Sequence, residues 1–195
     1  MLFLVQLGLV ALVSAAGGTP QQAGPSTGGK EVAGVRLAET VRAGDKTLVL
    51  NGAGLRTKTI FNAKVYVAGL YLERPSRDAA GVIASEAVKR VELTFLRDLD
   101  HKQIGDAIAE GFERNSKKDL PKLKARLDQL CKLIPDMKKK GELQITYLPG
   151  KGTVVSVKGT EQGVIEGKDF ADALFSVWLG RDPVDKDLKD AMLGG

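Results

Sequence analysis

The segment that most restricts how this chain can fold is residues 59–73 (TIFNAKVYVAGLYLE). Val, Ile, Tyr and Phe dominate it, and after Lys64 both alternating sets of side chains are apolar. A strand with one face in water alternates apolar and polar residues, whereas a strand covered on both faces is a nearly continuous apolar run. The segment therefore predicts an interior strand of a sheet, with other parts of the chain packed on both of its faces.

Strands and helices occur in blocks along the rest of the chain. Strict alternation of apolar residues predicts strands, and apolar residues spaced by three and four predict helices. The predicted strands are residues 34–42, 46–50, 91–95, 142–148, 153–157 and 160–166, and the predicted helices are residues 101–115, 120–134, 168–179 and 186–193. Blocks of this kind favour an α+β fold over a parallel βαβ sheet.

Several predicted helices carry recognisable end signals. Asp100 and Gln103 have the spacing of a capping box, in which each side chain bonds the other residue's backbone. Asp119 and Asp185 stand where N-cap residues are expected, and Gly180 stands where a left-handed glycine would end a helix. These signals fix the predicted helix ends.

The amino-terminal part of the chain differs from the rest, because no charged residue precedes Lys30. Residues 1–16 contain an apolar run followed by small residues, the pattern of a cleaved signal peptide. A membrane anchor is the alternative, but about 15 apolar residues fall short of the ~20 that span a bilayer. Residues 17–30, rich in Gly and Pro, predict a flexible linker before a single domain of residues 31–195. We expect a periplasmic or secreted protein without stable membrane insertion after cleavage.

The small number of histidine and cysteine residues excludes several enzyme classes. The sequence has one His (His101) and one Cys (Cys131), too few for a zinc site with two histidines, a disulfide or a CxxC motif. His101 begins a predicted helix beside Asp98 and Asp100, which favours an exposed role at the helix end over general-base catalysis. We therefore expect neither a metal nor another cofactor.

Two short motifs point weakly to nucleic acid or nucleotides. The cluster Lys138–Lys140 follows a predicted helix, and aromatic residues are only 5% of the chain, which favours a solvated helix end over a nucleic-acid surface. Gly52-x-Gly54 begins like a dinucleotide fingerprint, but no third glycine follows, so we interpret it as a turn. We expect no nucleic-acid partner.

Arg56 is the most informative polar residue. It immediately precedes the apolar segment 59–73, with Tyr66 nearby in sequence. If its side chain points inward it needs an anionic partner, because an unpaired buried guanidinium is costly. Its planar fork can hold two oxygens of one anion, such as a ligand carboxylate or phenolate. The alternative on these residues alone is a surface arginine in a β-turn.

Three segments carry a resemblance to a known family. NGAGLRTKTIFNAKVYVAGLYLE, LTFLRDLDHKQIGDAIAEGF and DALFSVWLGRDPVDKDLKDAMLG resemble, in this order, segments of the chalcone isomerase family, particularly its bacterial and fatty-acid-binding branches. Together they cover most of residues 35–194. The resemblance implies an α+β, chalcone isomerase-like open-faced β-sandwich, with helices layered on one face of a large antiparallel sheet.

The resemblance also indicates which catalytic positions are kept. Arg56 falls on the arginine that holds the anion in plant chalcone isomerases. The catalytic tyrosine of the family would fall on Ile104, the asparagine on Gly111, and the threonine and methionine that contact the flavonoid on Val177 and Trp178. Ile104, Gly111 and Val177 supply no polar side chain, which argues against efficient cyclisation of chalcones.

An arginine with a nearby tyrosine instead resembles the fatty-acid-binding branch, in which a cleft takes the alkyl chain and its polar mouth takes the carboxylate. Tyr66 would then be the second donor, and apolar residues would line the cleft. The candidate ligand-binding residues are Arg56, Tyr66, Ile104, Ile108, Val177 and Trp178.

Three functions remain open from the sequence. The first is an exported, non-catalytic protein that binds an apolar anion such as a fatty acid through Arg56. The second is an isomerase of the intramolecular lyase type acting on an enone or phenol, with Arg56 as its catalytic candidate. The third is a structural, partner-binding protein whose cleft is filled by side chains. For the first, the partner is a small apolar anionic ligand, and we expect a monomer.

Overall fold

The computed structural model describes residues 28–58 and 63–195. The strands in these residues are β1 (Gly29–Val32), β2 (Val35–Ala38), β3 (Thr40–Ala43), β4 (Lys46–Lys58), β5 (Ala63–Leu72), β6 (Lys89–Phe95), β7 (Glu142–Leu148), β8 (Gly152–Val157) and β9 (Thr160–Ile165). The helices in these residues are α1 (Ala79–Ala84), α2 (His101–Ser116), α3 (Leu120–Leu133), α4 (Lys168–Leu179) and α5 (Lys186–Met192).

Most of the strands form one antiparallel sheet. In the described residues β3 to β9 pair in sequence order, and β1 and β2 form a separate hairpin. The helices pack on one face of the large sheet around a single main core that includes Phe112, Phe170 and Phe175. The α+β class, the antiparallel sheet and the helical layer on one face are therefore confirmed.

The interior strand predicted at residues 59–73 is present as β5. Its first four predicted residues, 59–62, lie outside the described part of the chain. On one face, Ala68 and Leu70 are buried in the helical core. On the other, Val67 is buried against Leu37 of β2 and Ala53 of β4. The apolar run is thus explained by cover on both faces.

The predicted signal peptide (1–16) and residues 17–27 of the predicted linker (17–30) also lie outside the described residues. β1 begins at Gly29, so the last two residues of the predicted linker pair with β2. Within the described residues no helix is long and apolar enough to cross a membrane.

The interpretation of Gly52-x-Gly54 as a turn is wrong. Both glycines lie inside β4, which extends to Lys58 instead of ending at Leu50 as predicted. They allow close packing of α5: a Cβ on Gly52 would lie 2.7 Å from the Met192 carbonyl oxygen, and one on Gly54 would lie 2.7 Å from the Ala191 Cβ. The sequence shows the glycines but not the helix that needs them. Residues 34–42, predicted as one strand, are divided between β2 and β3.

Helix α1 was not predicted, because six residues are too few to show a helical period. Its carboxyl end is held by Lys89, whose ammonium donates to the carbonyl oxygens of Val82, Ile83 and Ser85 at 2.9, 2.8 and 2.7 Å. Lys89 is fully buried, and this burial lowers the pKa of its ammonium to about 8. A buried lysine thus supplies the carboxyl-terminal bonds that a short helix otherwise lacks.

Two of the predicted helix-end signals are confirmed. The Asp100 side chain accepts from the Gln103 backbone at 2.7 Å, and the Gln103 side chain accepts from the Asp100 backbone at 3.2 Å. At α5 the Asp185 carboxylate accepts from the Leu188 N–H at 3.0 Å. Both aspartates satisfy helix N–H groups that would otherwise lack a partner.

The other two signals are corrected. Asp119 precedes α3 as predicted, but among the described residues its carboxylate accepts no capping hydrogen bond. Its backbone, at φ −94° and ψ −11°, is nearly helical, whereas a capping residue is usually extended. Gly180 follows α4 at φ −65° and ψ −175°, so it is extended and not left-handed. A Cβ there would collide with the Asn115 amide, which explains why glycine fits.

The contrast between the two aspartates gives a stability prediction. Asp100→Ala should lower the free energy of unfolding by about 1 kcal/mol, because it removes an N-cap bond and half of a capping box. Asp119→Ala is the matched control and should change it by less than about half of that. Urea unfolding followed by circular dichroism measures both. Equal losses in the two variants would contradict the assignment of the caps.

Candidate functional site

Three adjacent strands place three side chains in a row on the helical face of the sheet. Arg56 of β4 is paired with Tyr66 of β5, and Tyr66 is paired with Phe95 of β6. Directly opposed residues in an antiparallel sheet point to the same face. The row lies beneath α2 and α4, and together these elements form a cleft.

The walls of this cleft are mainly apolar. Ile104 and Ile108 come from α2, one helical turn apart, and Val177 comes from α4. The helices approach closely because Gly111 faces Val177, where a Cβ would lie 2.8 Å from the valine methyl carbons. The structure therefore brings all six predicted residues to one cleft: Arg56, Tyr66, Ile104, Ile108, Val177 and Trp178. Their role in binding stays a prediction.

Six further lining residues were not predicted: Leu93, Phe95, Leu99, Gln103, Ala107 and Val184. Phe95 shares the apolar face of β6 with Leu93, so the alternation in that strand was a usable signal. Ala107 lies on the same helix face as Ile104 and could have been found from its spacing. Val184 lies outside the helices and strands, and no sequence pattern marks it.

The cleft is narrow. It contains about 390 Å³ of empty space counted out to open solvent, but the centre of a water-sized sphere can occupy only about 30 Å³ of it. On that measure one water needs at least about 10–15 Å³, so the free space holds roughly two waters. Arg56, Leu99 and Val184 are half-buried at its mouth, whereas Ile108 and Trp178 are buried.

In the part of the chain that the structure describes, Arg56 is a cation without a carboxylate partner. Among the described residues its guanidinium forms no ion pair, and its Cζ lies 5.4 Å from the centroid of the Tyr66 ring. Asp185 is close enough to influence Tyr66, but its carboxylate is occupied by the backbone N–H groups of Leu188 and Thr57 at 3.0 and 3.4 Å. The charge of Arg56 is thus available to attract an anion at the mouth of the cleft.

Tyr66 places a hydroxyl in the buried part of the cleft. Its oxygen accepts from the Trp178 indole N–H at 3.0 Å, and its ring meets the Phe95 ring edge-on with centroids 5.9 Å apart. Burial raises the pKa of Tyr66, although the nearby charge of Arg56 acts in the opposite direction. The phenol is therefore protonated near neutral pH and can donate a hydrogen bond.

The cleft is poor in groups that could perform acid or base catalysis. Among its described lining residues the polar side chains are Arg56, Tyr66, Gln103 and Trp178, and none of the lining residues is a carboxylate, histidine, cysteine or lysine. His101 lies outside the cleft, exposed, with its Nδ1 2.7 Å from the Asp136 carboxylate. The arrangement is suited to holding an anion with an apolar body.

The chain was compared with known proteins. The sequence profile described as chalcone isomerase-like matches residues 29–194. Among solved structures, the chain is similar to a fatty-acid binding protein of Arabidopsis thaliana, with a TM-score of 0.66 and 16% identity over 82% of this chain and 92% of that one. A search of curated proteins found no match. Because the family profile spans nearly the whole described domain, the chain belongs to the chalcone isomerase-like family.

Proposed function

We propose that the protein binds an apolar anion, such as a fatty acid, without catalysing chalcone cyclisation. The observation that carries the proposal is Arg56, a cation without a described carboxylate partner at the mouth of an apolar cleft. Hydrogen bonds between an arginine fork and a carboxylate are stronger than neutral ones and can be bidentate. A ligand carboxylate would therefore bind at Arg56, with its alkyl chain toward Ile104 and Ile108.

A second donor strengthens this arrangement. The Tyr66 hydroxyl lies on the same sheet row as Arg56 and is protonated near neutral pH, so both groups can donate to one carboxylate. The apolar walls offer the alkyl chain burial worth about 0.8 kcal/mol per CH₂ group. The similar Arabidopsis thaliana structure is described as a fatty-acid binding protein, which is consistent with a ligand of this kind.

Several features argue against cyclisation of chalcones. By the family resemblance, Ile104, Gly111 and Val177 fall at positions where the plant enzymes use polar side chains. Here Gly111 and Val177 form an apolar contact between α2 and α4, and Ile104 is buried in the core. Binding accelerates a reaction only when contacts strengthen in the transition state, which requires donors at the atoms that gain charge. Arg56 and Tyr66 alone would hold an anion equally well before and after reaction.

The small free volume sets a condition on this proposal. Ligand pockets usually measure about 300–1,000 Å³, so an alkyl chain needs α2 to move away from the sheet or side chains such as Leu99 to rotate. The same observation favours the alternative in which the cleft is filled by its own side chains and the protein serves as a structural partner. Binding measurements separate the two. The predicted signal peptide implies that binding takes place outside the cytoplasm.

Trp178 provides the test, because it is the single tryptophan of the chain and lies in the cleft. Titration with dodecanoate should give a saturable change in tryptophan fluorescence, since the alkyl chain of the ligand replaces water beside the indole. Arg74→Met, which removes an exposed arginine beyond the opposite end of β5, should titrate like the natural chain. No fluorescence change together with no heat in calorimetry would favour the filled cleft. Chalcone added to the protein should disappear no faster than in buffer.

A further inference from the structure

The contact between Trp178 and Tyr66 has a defined direction. The indole N–H can only donate, and it donates to the Tyr66 oxygen at 3.0 Å. Both residues are buried, with 2% and 5% of their surface exposed, so water does not compete readily for this bond. The Arg56 Cζ lies 5.4 Å from the centroid of the Tyr66 ring, and its positive charge also acts on the hydroxyl oxygen.

This direction determines which way the phenol hydrogen points. A tyrosine hydroxyl has one hydrogen to donate, and its lone pairs accept. The indole N–H bonds to one lone pair of the Tyr66 oxygen, and the positive charge of Arg56 attracts the other lone pair of the same oxygen. The hydrogen must therefore point away from both groups. Among the described residues the hydroxyl has no acceptor for this hydrogen, although it is buried in the cleft. A buried donor without an acceptor is costly unless a ligand supplies one.

We infer that Trp178 is a positioning residue that fixes Tyr66 as a donor, so that the cleft prefers headgroups that only accept hydrogen bonds. The inference rests on the proposed function and adds to it the basis of headgroup selection. A carboxylate accepts from both Arg56 and Tyr66. An alcohol oxygen also accepts a hydrogen bond, but the alcohol's own hydrogen then faces the donors Arg56 and Tyr66 instead of an acceptor. A positively charged amine is repelled by Arg56.

Trp178→Phe tests this, because it keeps an aromatic ring and removes the N–H. Without the indole the phenol can rotate and present a lone pair to the cleft. Isothermal titration calorimetry with dodecanoate and with dodecanol gives the ratio of the two affinities. We expect Trp178→Phe to weaken dodecanoate binding by about 2- to 13-fold, the effect of one neutral hydrogen bond, and to weaken dodecanol binding less.

Tyr66→Phe supplies the matched background. There, adding Trp178→Phe should leave the affinity ratio unchanged, since the hydroxyl to be oriented is absent. Equal losses for both ligands after Trp178→Phe, or the same change of ratio in the Tyr66→Phe background, would show that the indole only packs and would overturn the inference. If the natural chain binds neither ligand, the proposed function fails and this inference fails with it. If the natural chain binds dodecanoate and Arg56→Met weakens this binding but Trp178→Phe does not, the proposed function is supported and the inference about Trp178 is wrong.

A second measurement does not depend on how the tryptophan variant folds. The natural chain has one tryptophan and so gives one indole N–H resonance in an NMR spectrum. Its proton should exchange slowly with solvent because it is hydrogen-bonded to the Tyr66 oxygen. Tyr66→Phe should speed this exchange and shift the resonance upfield. Addition of dodecanoate to the natural chain should leave the indole bond in place. Loss of the bond when dodecanoate binds would contradict a positioning role.

Discussion

Replacing Arg56 with Met should weaken dodecanoate binding by about 10- to 150-fold, the range that corresponds to a hydrogen bond to a charged group worth about 1.5–3 kcal/mol. Met keeps much of the apolar stem that packs at the mouth of the cleft and removes the charge. Isothermal titration calorimetry measures the affinity, with Arg74→Met as the control for the loss of one positive charge elsewhere on the surface.

The stability of the same variant distinguishes a ligand site from a structural residue. Arg56 has no ion pair among the described residues, so its removal loses its contacts with Tyr66, of which the one with the ring is worth about 0.5–1 kcal/mol at an exposed site. Urea unfolding should show a change of about 1 kcal/mol or less. If Arg56→Met unfolds the protein and leaves residual binding unaltered, Arg56 is structural and the proposed site is wrong.

Gly52→Ala should cause a large loss of stability, at or above the upper end of the about 1–3 kcal/mol usual for overpacking. The added methyl group would meet the carbonyls of Ala191 and Met192, and these are backbone atoms that cannot move without displacing α5. The side-chain amide of the preceding residue, Asn51, donates to the same Met192 carbonyl at 2.8 Å. This hydrogen bond also holds β4 against the carboxyl end of α5.

Gly150→Asn is the matched control for Gly52→Ala. Gly150 lies at φ +74° with open space around it, and asparagine tolerates this left-handed conformation better than other residues. Its free energy of unfolding, measured in urea, should fall by much less than that of Gly52→Ala. Equal effects would mean that β4 and α5 are not in the close contact described.

Much of the fold could be predicted from local patterns. β7 matches its predicted bounds, β8 and β9 differ by one residue, and α2 begins at its predicted capping box. These elements have regular periods and polar signals at their ends, which depend on nearby residues only. The resemblance supplied the single large antiparallel sheet and the layering of helices on one face, which local patterns do not contain.

Two of the errors depend on contacts made outside the segment concerned, which its local pattern does not contain. Gly52 and Gly54 are inside a strand because α5 packs on them. Helix α1 forms where Lys89, on the following strand, bonds its last carbonyls. The family resemblance grouped Arg56, Tyr66 and residues of α2 in one candidate site, and the structure places them along one cleft. The bond from Trp178 to Tyr66 joins residues 112 positions apart and has no local signal.

A crystal structure of the protein with bound dodecanoate would show where the carboxylate and the alkyl chain lie. We predict a carboxylate within hydrogen-bond distance, about 2.7–3.2 Å, of both the Arg56 guanidinium and the Tyr66 hydroxyl, and an alkyl chain between α2 and the sheet. A carboxylate bound away from Arg56, or a cleft still closed by its own side chains at saturating ligand, would show that Arg56 and Tyr66 do not form the binding site.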